Sequence, residues 1–138
     1  METDMTAITH ASPYPALLRW ALLIDAAASA ATGLLLALGG GLLRDLLGLP
    51  EPLMHYAGLS LLPFAALVAF AATRREVPRA LVWAIIACNG LWTIDSLAIV
   101  ALKFVTPTWL GAAFVVVQAL VVGGLGLLQY AGLARSTA

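Results

Sequence analysis

The chain has 138 residues, of which 62% are hydrophobic and 10% charged, against about 45–50% apolar and about 25% charged in an average soluble domain. Seven Lys+Arg balance seven Asp+Glu, so no net charge is available to recruit nucleic acid or acidic partners. The single cysteine, Cys88, excludes an internal disulfide and the paired thiols that a quinone-linked thiol oxidase requires. The apolar excess lies in long blocks, which defines the class as an all-α membrane protein of one domain.

In chain order, residues 1–14 form a polar tail that holds Glu2, Asp4 and His10. It lacks the basic stretch of a secretory signal, and the apolar block after it is long and carries a carboxylate, so that block is read as a retained span. A four-helix transmembrane domain is expected over residues 15–133, followed by a short tail over 134–138. Span one is expected over 16–38, opened by Pro15, whose missing N–H would be unpaired there in any case. The run Gly39-Gly40-Gly41 closes it, because glycine loses the most backbone freedom in a helix. Leucines 42, 43, 46, 47 and 49 around Arg44 and Asp45 predict a short amphipathic helix at the membrane interface, stopped by Gly48 and Pro50. Span two is expected over 53–72, with His55 and Tyr56 at its entry and a kink at Pro63. A basic turn, Thr73 to Arg79, leads to span three over 79–104. Span four is expected over 108–128, with Gln129 and Tyr130 at its exit.

Basic residues near the span ends set the orientation. Arg19, Arg74, Arg75, Arg79 and Arg135 fall on one side, and Arg44 and Lys103 on the other, which places both termini in the cytoplasm of a bacterial inner membrane. Trp20, Trp83 and Tyr130 flank one face, and Tyr56, Phe104 and Trp109 the other. Short connections predict an up-down-up-down bundle.

The polar residues inside these spans are the candidate site. Asp25, Ser29 and Thr32 share one helical stripe, and Asn89, Thr93 and Ser96 repeat its spacing, with Cys88, Trp92 and Asp95 beside them. At 1.5 Å per residue, Asp25 and Asn89 lie ~12 Å from the basic side and Thr32 and Asp95 ~21 Å. Two rungs follow: Asp25 with Asn89, and Asp95 with Thr32 and Ser60. Gln118 falls near mid-depth, and Trp92 lies between the rungs. Both carboxylates are expected to face inward, because a charged side chain in hydrocarbon is expensive. They are either a proton, cation or ligand site or a structural lock on helix register. Ser29 with Gly33, and the glycines of span four, predict close helix approach.

Two histidines so placed cannot form a bis-His haem within one subunit, and no metal-ligand spacing, phosphate loop or Ser/His/Asp constellation is present. No cofactor, metal or catalytic residue is therefore expected. Ile24-Asp25-Ala26 echoes Ile94-Asp95-Ser96, a three-residue hint of internal duplication.

In size, span order and the run Leu46-Leu47-Gly48-Leu49-Pro50 between spans one and two, the chain resembles the small four-span bacterial membrane proteins of the DoxX type. The resemblance implies the four-span fold. DoxX-type proteins often carry Gly-x-x-Lys near the end of span one, where this chain has Gly39-Gly40-Gly41-Leu42, and no functional residue is carried over.

The first functional expectation is a non-enzymatic binding or scaffold subunit within the bilayer. Its partners would be the lipid bilayer, a second copy or another membrane protein, or a small polar or amphipathic ligand. The alternative is a small proton-coupled carrier that uses Asp25 and Asp95. Whether those two side chains line one continuous cavity discriminates between the two.

Overall fold

The computed structural model describes residues 14–136, and its regular structure there is all helical. The helices are α1 (Ala16–Leu38), α2 (Gly40–Leu47), α3 (Glu51–Ala72), α4 (Arg79–Ala101) and α5 (Trp109–Arg135). All except α2 are long and apolar enough to cross a membrane. The polar tail up to residue 13, with His10, lies outside the described residues.

Local chemistry explains the helix ends. The Gly39 N–H bonds the Leu35 carbonyl at 2.8 Å, and Gly40 then takes φ 50°, a left-handed conformation in which a side chain would be strained. Gly48, at φ 68°, closes α2 in the same way. Helix α3 starts two residues before the expected boundary, with Pro52 in its first turn, and continues through Pro63. Helix α4 stops at Ala101, three residues short of expectation, and Lys103 just beyond it adopts φ 62°. At the start of α5 the Gly111 N–H donates to the Thr108 hydroxyl at 3.1 Å, a side-chain N-cap. Helix α5 then runs to Arg135, seven residues past the expected exit. Gln129 and Tyr130 look like an exit signal in the sequence, but polar side chains do not interrupt backbone helix bonding.

Helix α1 packs closely on α3 and on α5; α4 packs chiefly on α5 and only slightly on α3. Glycines permit the closest approaches. A Cβ on Gly58 would stand 2.5 Å from the Ala37 nitrogen, and one on Gly111 would stand 1.8 Å from the Leu47 carbonyl oxygen. Around Gly111, α2 is tied to the start of α5: the Thr108 N–H donates to the Leu47 carbonyl at 3.0 Å and the Thr108 hydroxyl to the Leu46 carbonyl at 2.8 Å. Two carbonyls left over at the end of α2 thereby find donors.

Two apolar cores result. One gathers Leu18, Leu22, Val68, Ala72, Val82, Ile85 and Leu133. The other gathers Leu36, Leu43, Leu47, Leu49, Met54, Leu61 and Val115. Beside the first core, Arg19 donates to the Ala72 carbonyl and, at 3.2 Å, to that of Arg74, while its guanidinium lies 3.9 Å from the centre of the Tyr14 ring. Arg79 donates to the Leu133 carbonyl at 3.2 Å. The start of one helix therefore caps the last carbonyls of another, at α1 with α3 and again at α4 with α5, where a positive charge also suits the helix dipole. The belt aromatics Trp20, Trp83, Tyr130, Tyr56, Phe104 and Trp109 all point outward and are exposed, and Trp83 meets Tyr130 edge to face at 5.6 Å.

Candidate functional site

The first rung is closed by four side chains. Asn89 Nδ2 donates to Asp25 Oδ2 at 2.8 Å, Gln129 Nε2 donates to the same oxygen at 2.7 Å, and Ser29 Oγ donates to Asp25 Oδ1 at 3.1 Å. Asn89 Nδ2 also donates to Gln129 Oε1 at 2.9 Å. Asp25 is 1% exposed and Gln129 0%. The carboxylate receives three donors from neutral groups and meets no cation among the described residues. Such a network offsets the desolvation that makes a lone carboxylate in hydrocarbon costly, about 2.5–3.5 kcal/mol on insertion scales. The expected meeting of Asp25 with Asn89 is thus present.

Gln129 was expected at the exit of span four, and its part in this rung is a correction. A signal for it exists. Gln118 and Gln129 are eleven residues apart, which at 100° per residue leaves them about 20° apart on one face.

The second rung differs from the expectation. Thr32, Asp95 and Ser96 line one cavity of about 200 Å³, together with Leu36, Met54, Trp92, Ile99, Phe114 and Gln118. Yet Thr32 and Asp95 form no hydrogen bond, and Asp95 is exposed rather than buried. Helical geometry explains the correction. The buried stripe of α4 is Val82, Ile85, Asn89 and Ser96, and Asp95, six residues after Asn89, stands about 120° away from it. Cys88 is exposed for the same reason, about 100° off that stripe. Ser60 is not part of this rung: it is exposed, donates to the Ala57 carbonyl at 2.8 Å and borders a different cavity beside Cys88 and Asn89.

Between the rungs stand Trp92 and Gln118. Trp92 Nε1 donates to Gln118 Oε1 at 2.8 Å, and Gln118 Nε2 donates to the Val115 carbonyl at 2.9 Å. Trp92 is half-buried and borders three cavities. One of them, about 280 Å³, reaches Asp25 and Ser29 and shares Thr32, Trp92, Phe114 and Gln118 with the cavity of Asp95. Thr93 donates to the Asn89 carbonyl at 2.9 Å and the Ala119 carbonyl at 3.3 Å, which joins α4 to α5.

The two polar sets therefore differ in kind. In the first, Asp25, Ser29, Asn89 and Gln129 partner one another. In the second, the side chains of Thr32, Asp95 and Ser96 have no hydrogen-bond or ionic partner among the described residues, although Ser96 is only 8% exposed. Unpartnered polar groups on an otherwise apolar wall are the usual anatomy of a ligand pocket. No group of three metal-binding side chains occurs among the described residues. Comparison with family models, curated proteins and solved structures found no match, so the DoxX-type likeness rests on the sequence features alone.

Proposed function

We propose that the protein is a non-enzymatic, membrane-embedded binding protein whose cavity beside Asp95 takes an amphipathic ligand. One observation carries this reading: three polar side chains without partners among the described residues line one largely apolar cavity, while Asp25, Ser29, Asn89 and Gln129 satisfy one another. The setting is an up-down-up-down bundle in a bacterial cytoplasmic membrane with both termini cytoplasmic and α2 in the outer interface. Support for that setting comes from the arginines: Arg19 reaches the carbonyl of Arg74, and Arg79 that of Leu133, which gathers the basic residues at one end.

A bromooctyl amphiphile tests the binding reading. In bilayer nanodiscs, with Trp20, Trp83 and Trp109 changed to Phe, it should quench Trp92 in a saturable way. Ala57→Phe, which fills the same cavity, should abolish the saturable part. Quenching that rises only with membrane partitioning, whatever the headgroup, would rule the reading out.

The second reading is a proton-coupled carrier using Asp25 and Asp95. It is favoured by the walls that the two cavities share. Proton flux into liposomes that Asp25→Asn abolishes would support it, whereas flux unchanged from protein-free liposomes would remove it.

A further inference from the structure

We propose, building on the binding reading, that the cavity beside Asp95 selects a cationic headgroup of the alkylammonium type. The argument rests on what each side chain has left to offer. Asp95 is the one carboxylate on that wall, and it has no ion-pair partner among the described residues. Four of the seven basic residues are engaged elsewhere: Arg19 and Arg79 with helix-end carbonyls, Arg74 with the Phe70 ring, and Arg44 with Asp45 at 3.2 Å and Glu51 at 3.4 Å. Lys103 lies beyond the end of α4.

Trp92, three residues before Asp95, projects from the neighbouring turn of the same helix. Its indole N–H is already given to Gln118, so it has no donor left for an anion. What remains is the aromatic ring, whose face attracts cations, quaternary ammonium groups above all. Thr32 and Ser96 supply hydroxyls without partners, and Leu36, Met54, Ile99 and Phe114 supply the surface for an alkyl chain. An anionic head would instead meet a carboxylate with only two hydroxyls to oppose it. The second rung is thus a cation acceptor, while Asp25, which already receives three donors, is the closure of the bundle.

The test compares bromooctyl trimethylammonium, bromooctyl sulfate and bromooctanol in maltoside micelles, whose uncharged sugar heads carry no ammonium group to compete, read by Trp92 quenching. The cation should bind on the order of tenfold more tightly than either competitor, the size expected of a partly desolvated cation–π contact beside a carboxylate. Asp95→Asn should reduce cation affinity by about the same factor and leave bromooctanol unchanged, and Asp95→Glu should retain it. Asp95 is exposed and unpartnered, so these variants should melt with the wild type; if Asp95→Asn does not, the headgroup series and Asp95→Glu still decide. Equal affinity for the three heads, or cation binding indifferent to Asp95→Asn, would overturn the cation assignment and leave the binding reading standing. Absence of saturable quenching with any of the three overturns both.

Discussion

Replacing Gln129 by leucine removes two hydrogen bonds from a fully buried place: the one Gln129 gives to Asp25 at 2.7 Å and the one it receives from Asn89 at 2.9 Å. Leucine is close in bulk, so packing changes little. Side-chain hydrogen bonds in membrane bundles average about 0.6 kcal/mol, which gives about 1.2 for two. A carboxylate acceptor raises the value, since bonds to charged groups are worth about 1.5–3 kcal/mol. The expected loss is therefore about 2 kcal/mol. Asp25→Leu should cost more, because it strands Ser29, Asn89 and Gln129 together. The double variant should fall short of the sum by about 1 kcal/mol, because each change removes part of what the other would. Reversible unfolding in mixed micelles measures all three. If the two costs add to within about 0.5 kcal/mol, the four side chains do not act as a unit and the reasoning is refuted.

Other expectations follow from the same structure. Gly111→Ala should destabilise by more than about 2 kcal/mol, since its Cβ would overlap the Leu47 carbonyl oxygen. Gly90→Ala, with nothing within 4 Å, should be neutral or stabilising by up to about 1 kcal/mol; paired melting curves decide both. Arg79→Met should lower the melting temperature and speed amide exchange over the last turn of α5, where the Leu133 carbonyl loses a charged donor. At Tyr14, burial raises the hydroxyl pKa more than the Arg19 charge lowers it, and the hydroxyl donates to the Ala71 carbonyl at 2.9 Å. Because the folded value lies above the unfolded one, this contribution is complete below about pH 10 and is lost as pH rises through the folded value. Tyr14→Phe should flatten the alkaline limb of a stability-against-pH curve.

The helical class and four apolar spans were legible because bilayer thickness imposes a length that composition alone reveals. The meeting of Asp25 with Asn89 was legible because both lie at similar depth from the same basic end. Asp95 misled for a geometric reason: the cost of a carboxylate in hydrocarbon says that it needs a polar surrounding, not that it must point to the bundle axis. Gln129 was hidden by its neighbour Tyr130, since a polar-aromatic pair near a span end reads as an interface. The arginines carried more than their count implied. Their number suggested an orientation, but only the fold shows Arg19 and Arg79 spending their donors on the last carbonyls of other helices.

The first rung crosses a seam in the chain. Asp25 and Ser29 come from α1, which packs on α3, whereas Asn89 and Gln129 come from α4 and α5, which pack on each other. Residues 73–78 are the covalent link between these two pieces. A chain severed there, with its halves made separately in one membrane, retains a recognition code in which one fragment carries the acceptor and the other the two amide donors. The carboxylate then acts as an address rather than a reagent: a fragment pair lacking Asp25 would keep the Thr108 bonds to Leu46 and Leu47 but lose the amide-to-carboxylate contacts that set α1 against α4 and α5.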